Sequence, residues 1–269
     1  MVSAVANGPK TVALYSEKTA EIKTLKIGPW IKDRILLVDL GFYKTQMFVR
    51  IEENGGYFVS RIRKNTDSVV ASINEGIPKT MCKDFMEKPV SECIKQLSGK
   101  DIDAVVKIAF KRRSYKSKQK WDEMLVRLVA VYNEEDEKHH LYITNIQKDV
   151  LNTKDITKLY GAGWDIELLF KGLKSKYALD VLETKNVQVI EALIWTAILT
   201  LIVSRRIYSL VRNSTAHPEK MAQYTQLRWS TIFAENASDL LTVILQRCGI
   251  QRNFETIIVY MKVKHWIHM

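Results

Sequence analysis

The feature that most constrains this chain is the run Ile35-Leu36-Leu37-Val38, closed by Asp39 and followed by Leu40-Gly41. An unbroken apolar run of this length is the pattern of a strand covered on both faces, which points to an α/β fold. Asp39 falls at the carboxyl end of that strand, where open α/β sheets place ligand chemistry, and Gly41 supplies the turn. An aspartate there serves equally well as a cap for whatever follows. Residues 45–53 read as a helix with Met47, Phe48 and Ile51 on one side and Asn54-Gly55-Gly56 ending it. Residues 57–63 read as the next strand. Arg61 and Arg63 share one of its faces, suited to a DNA backbone or simply to solvent.

A second constraint lies in residues 159–176. Tyr160, Glu167 and Lys174 are spaced seven apart, and about seven residues make two helical turns. If the segment is one helix, the three side chains share a face, drifting about 20° per step. Ile166, Leu169, Phe170 and Leu173 then form a core-facing stripe on the other side. A carboxylate flanked by an aromatic hydroxyl and an ammonium suits metal-assisted work on phosphates. An amphipathic helix with a solvated polar face has the same pattern.

Together the two blocks resemble the IS4-type DDE transposases. The family signature Tyr-x2-Arg-x3-Glu-x6-Lys is met by Tyr160, Glu167 and Lys174, with Trp164 and Ile166 to Phe170 in a similar context, while Gly163 stands in the Arg slot. Asp39-Leu40-Gly41-Phe42 is similar to the family's Asp-x-Gly-Tyr/Phe motif, and Phe58-Val59-Ser60-Arg61 to the strand after it. The resemblance implies an RNase H-like core, a mixed sheet flanked by helices, whose three carboxylates hold two Mg²⁺ (or Mn²⁺) ions. Asp39 is then the second catalytic, metal-binding acid and Glu167 the third. Tyr160, Lys171 and Lys174 are then DNA contacts, and a homodimer in a synaptic complex is the implied assembly. The family's first aspartate has no counterpart here: the earliest aspartate, Asp33, sits in a Lys-Asp-Arg turn. The expected core is therefore incomplete, with its first strands missing. Gly161 and Gly163 also weaken the helix start, by about 1 kcal/mol each relative to alanine.

Charge agrees with a phosphate-backbone partner: the chain carries a net +11 and a pI near 9.4. Residues 104–111, 124–132 and 141–144 read as strands and 90–97 as a small helix, the β-rich insertion that the resemblance implies between the two acids. Between the first two of these strands runs a basic loop in which Arg112, Arg113, Lys116 and Lys118 alternate with Tyr115 and Trp121. Cations interleaved with aromatics let a loop grip phosphates and stack on bases. Residues 11–15 read as a strand and 19–27 as a helix. After residue 176 the chain reads as helical, over 187–211, 219–226, 230–247 and 254–266.

The apolar stretch 192–203 falls short of the roughly 20 residues that span a bilayer, and reads as a buried helix. With no export signal and three unpaired cysteines, a soluble, cytoplasmic protein with no membrane partner is expected. The expected division is 1–63 and 151–211 as the core, 64–150 as the β-rich insertion and 212–269 as a helical region. The expected function is an IS4-type DNA transposase, truncated or degenerate, cutting and joining strands at insertion-sequence ends. The alternative is a catalytically inactive DNA-binding remnant, and behind it an unrelated basic α/β protein.

Overall fold

A computed structural model describes residues 2–3, 8–9, 18, 23–63, 66–97, 99–112, 120–176, 184–214 and 225–247. The expectations for residues 11–15, most of 19–27, 219–224 and 254–266 lie outside the described residues. The chain forms two compact units, residues 13–164 and residues 1–12 with 165–269.

The first unit is mixed α/β. In chain order it holds β3 (Ile35–Val38), α1 (Thr45–Glu53), β4 (Tyr57–Arg61), β5 (Ser68–Glu75), α2 (Cys82–Phe85), α3 (Val90–Lys95), β6 (Ile102–Lys111), β7 (Trp121–Asn133), β8 (Lys138–Thr144) and α4 (Thr153–Gly161). The labels β1 and β2 belong to Val2–Ser3 and Gly8–Pro9, a two-residue antiparallel pairing in the second unit. One six-stranded sheet runs β3-β4-β8-β7-β6-β5; β3 and β4 are parallel and the other pairs antiparallel. The β-rich stretch of residues 64–150 thus continues the sheet begun by β3 and β4. The strand β5 was not read from the sequence, because its serines, asparagine and glutamate dilute the β pattern.

Alternation decides the layers. Even positions of β6 and β7, among them Ala104, Val106, Ile108, Met124, Val126 and Leu128, face a core shared with Met47, Phe48 and Ile51 of α1 and with Phe85, Val90 and Cys93 of α2 and α3. Phe48 stacks on Phe58 of β4 with ring centroids 4.5 Å apart. The opposite face carries Val59, Val129 and Tyr142, covered by Ile156 of α4. That helix starts on a capping box: the Asn152 carboxamide accepts from the Asp155 amide, and the Asp155 carboxylate accepts from the Asn152 amide.

The expectation for the strand Ile35–Val38 needs correction. Its two faces do meet α1 and α4 clusters, through Val38 and Leu37. Yet β3 has β4 as its single neighbour among the described residues, so only Val38 is fully buried and Ile35 is 43% exposed. The physical reason is position: an edge strand loses the cover of a second flanking strand.

A buried ion pair crosses the second face. Arg127 of β7 gives Nε and Nη2 to the Asp103 carboxylate of β6, at 3.0–3.1 Å and 2.6 Å, and Nη1 to the carbonyls of Ile146 and Leu151. Asn74 of β5 adds a 2.8 Å hydrogen bond to Asp103. Every charge-bearing atom has a partner, as burial demands.

In the second unit α5 (Trp164–Lys176), α6 (Val187–Ser214) and α7 (Gln226–Arg247) follow. Ala197, Leu201, Ser204 and Tyr208 form the buried stripe of α6 at i, i+4, i+7, i+11 spacing. Trp229 of α7 packs on Tyr208 and gives its indole N–H to Ser204. The buried helix expected around residues 192–203 is corrected here. By length and composition the segment Val187–Asn213 could cross a membrane, and only 22% of its apolar window is buried. Leu193, Trp195, Leu199, Ile202 and Val203 are exposed because the described helices cover one stripe of α6 and leave the rest.

Removing one partner of the buried pair leaves an uncompensated charge, so Asp103→Ala should cost about 3–5 kcal/mol in urea unfolding. The matched double change D103L/R127M should cost far less than Asp103→Ala, because no charge is then left alone.

Candidate functional site

Asp39 stands at the carboxyl end of β3, exposed and extended (φ −72°, ψ 158°). Its Oδ2 accepts from the Gly41 amide at 3.1 Å, and its carbonyl accepts from the Phe42 amide. The residue therefore caps the short turn Leu40–Phe42, while Oδ1 has no hydrogen-bond partner among the described residues. β4 holds this end in place. Ser60, buried, gives its hydroxyl to the Val38 carbonyl at 2.8 Å. Arg63 gives Nη2 to the Leu40 carbonyl at 2.8 Å and lays its guanidinium 5.5 Å above the Tyr43 ring. Burial pushes the Tyr43 phenol above its ordinary pKa, against the opposing pull of the Thr66 hydroxyl and the Arg63 charge.

Arg61 and Arg63 part company here. Arg63 fastens the turn after Asp39, whereas Arg61 is half-buried near Tyr142. Burial raises the Tyr142 phenol above its usual pKa, and the Arg61 charge works against that rise.

The stretch 159–176 is not one helix. α4 ends at Gly161, the Gly163 amide bonds back to the Tyr160 carbonyl at 2.9 Å, and α5 begins at Trp164. Tyr160 belongs to α4, half-buried, with its ring 5.2 Å from Tyr142. The seven-residue spacing therefore no longer runs along one helix from Tyr160 to Glu167 and Lys174. The break follows from Gly161 and Gly163, which resist helix. A Cβ at position 163 would lie 3.0 Å from the Tyr160 carbonyl, so the arginine of the family signature would crowd this turn.

On α5, Glu167, Lys171 and Lys174 are all exposed, and steps of four and three put them on one face. Leu173 is buried, as the stripe predicts, but Phe170 is 52% exposed. The described neighbours of α5 reach the flank at Gly172 and Leu173, with Ser230 of α7 beside Gly172, and leave Phe170 uncovered. Asp39 belongs to the first unit and Glu167 to the second.

Of the basic loop, Arg113, Lys116 and Lys118 lie outside the described residues. Arg112 is held by the Asp122 carboxylate and lies 3.8 Å from Glu53, so acids already engage it. Trp121 is 62% exposed, with the Lys111 ammonium 4.9 Å from its ring centre.

Carboxylate oxygens suit a hard divalent ion, and Asp39 offers one. Among the described residues no three His, Cys, Asp or Glu side chains come together. The Asp103–Arg127 pair and the Arg63 clamp were missed from the sequence. The available signal was the one acid of β6 and the one base of β7, each set among apolar neighbours.

Compared with known proteins, the transposase DDE domain family model matches residues 9–203. No curated protein matches the chain.

Two tests follow from this geometry. Arg63→Ala should speed amide hydrogen exchange across residues 40–43 and cost about 1 kcal/mol, the worth of one hydrogen bond. Arg61→Ala should leave exchange in that turn unchanged. The hydrogen bond from Arg112 holds the Asp122 carboxyl below its ordinary 3.8, so this contact stabilises above about pH 4 and fades as pH falls through the lowered value. In an NMR titration Arg112→Ala should move the Asp122 midpoint back up.

Proposed function

This chain belongs to the transposase DDE domain family, and on that premise we propose that it is an IS4-type DNA transposase, degenerate in its strand-cutting site. The observation that carries this reading is Asp39: an exposed carboxylate at the carboxyl end of a sheet strand, its turn pinned by Ser60 and Arg63. The six-stranded mixed sheet with helices is consistent with an RNase H-like core. On this reading residues 1–63 and 151–211 supply the family core, the 64–150 segment adds the other four strands to its sheet, and 212–269 is a helical region.

The family normally uses divalent metal ions to cut phosphodiesters. Asp39 and Glu167 are the two acids we assign to metal binding, Mg²⁺ or Mn²⁺. Glu167 is presented with Lys171 and Lys174 on one exposed face of α5, where the ammonium groups hold DNA phosphates. Trp121 with Lys111, together with Arg113, Lys116 and Lys118, forms a second DNA contact. Arg61 and Tyr160, both near Tyr142, are further DNA contacts on this reading. A homodimer bringing two transposon ends together is the assembly that fits this activity. The family is generally soluble and cytoplasmic, and we read α6 as a packing helix in that setting.

Degeneracy rests on Gly163 in place of the arginine of the family signature. The same substitution favours a second reading, an inactive DNA-binding remnant.

The experiment incubates the full chain with duplex DNA bearing the terminal repeats that flank its gene, with Mg²⁺ or Mn²⁺. DNA affinity should fall steeply with salt, with a log–log slope of about −0.9 per phosphate neutralised. Weak metal-dependent nicking should appear and vanish in both Asp39→Asn and Glu167→Gln. Nicking that survives both substitutions unchanged would overturn the assignment, and binding without nicking under either metal selects the remnant reading.

A further inference from the structure

We propose that the uncovered end of the β6–β7 face is a platform for single-stranded DNA, an inference that rests on the DNA-binding reading above and names the form of DNA taken. Odd positions of both strands lie on the face opposite the main core. α4 covers that face at Val129, and the Asp103–Arg127 pair seals its middle. Beyond Arg127, Asn145, Gln147, Lys148 and Asp149 border Leu125, and Ala109, Lys111, Trp121, Glu123 and Leu125 stay exposed. Cross-strand register pairs Lys107 with Leu125, Ala109 with Glu123 and Lys111 with Trp121. Directly opposed residues of an antiparallel pair point to the same side. The result is a two-row surface: cations at both ends of the β6 row, and the exposed side chains of Trp121 and Leu125 (62% and 59%) at both ends of the β7 row.

The two rows suit one unpaired strand, with its phosphates along β6 and its bases along β7. The Lys111 ammonium is already beside the Trp121 ring, at 4.9 Å, which places a charge at the edge of a stacking surface. Lys107 has a single loose ion pair, 3.9 Å from Glu87. Glu123 stands between Trp121 and Leu125 and repels phosphate, which keeps the backbone on the β6 side. Charge complementarity is reinforced in sequence, since Lys111, Arg112, Arg113, Lys116, Lys118 and Lys120 precede Trp121 with no acid among them. A two-stranded ribbon can also enter a duplex major groove, but there base edges are read by hydrogen-bonding side chains. Trp121 and Leu125 offer broad apolar faces instead. In a duplex the base faces are stacked away; in a single strand they are free to lie on an aromatic ring.

The test measures fluorescence anisotropy of the full chain with a labelled oligothymidylate of about 20 nucleotides, longer than the roughly 4–16 nucleotides of typical single-strand sites. A blunt duplex of equal length is the comparison. Trp121→Ala should weaken single-strand binding roughly 5- to 150-fold, the span of one lost stacking contact, and change duplex binding by less than about twofold. Trp121→Phe should keep most of the single-strand affinity. Lys111→Gln should flatten the single-strand salt slope by about 0.7. Trp121 is exposed, so a variant with unchanged circular dichroism reports binding rather than folding. Equal losses on both DNA forms, or no loss on the single strand while duplex binding persists, would overturn the platform alone. A wild-type chain that binds neither DNA form would overturn both the platform and the function it rests on.

Discussion

The sheet of the first unit depends on a charge that cannot stand alone. Asp103 and Arg127 are both almost fully buried, and taking such a pair out of water costs more than their attraction returns unless every polar atom is matched. Here they are matched. Three strands supply partners, through Asn74, Asp103 and Arg127, and the remaining guanidinium nitrogen holds the carbonyls of Ile146 and Leu151. A slip of β6 against β7 by one residue would turn the acid or the base toward the apolar core. The pair therefore specifies register more than it adds stability. It also anchors the segment leading into α4, and through α4 the position of Tyr160.

The same logic of matched polar groups shapes the carboxyl end of β3. An edge strand should wander at its tip, yet Ser60 and Arg63 of the neighbouring strand and its extension take up the Val38 and Leu40 carbonyls. Asp39 is consequently presented at a fixed point, exposed and with one carboxylate oxygen on the turn. Helix breakage at Gly161–Gly163 has the opposite effect on the signature stretch. It puts Tyr160, which becomes part of the sheet's aromatic packing, on α4, and Glu167 with the two lysines on α5.

The exposed apolar surfaces divide by their neighbours. On α6 they lie among other apolar residues, whereas on the β6–β7 face Trp121 and Leu125 stand opposite Lys111 and Lys107 and follow a strongly basic stretch of sequence. An apolar side chain with a cation opposite it is matched by a partner that combines flat rings with negative charge, which a nucleic acid strand does.

Local pattern decided much of this protein. The apolar run before Asp39, the 3.6-residue periodicity of α1 and the alternation in β6 and β7 each needed only neighbours in sequence to declare strand or helix. The family was likewise legible, because motif spacing survives in one dimension, and the transposase DDE domain model matches residues 9–203. What the sequence could not decide was which strand lies at an edge, that Arg63 turns inward to a carbonyl while Arg61 settles near Tyr142, and that Asp103 finds Arg127. Those outcomes depend on which residues, distant in sequence, share a dry interior, where an unmatched charge or carbonyl is too costly to leave. Only the tertiary structure sets that, since burial is a property of the assembled fold and not of any stretch within it.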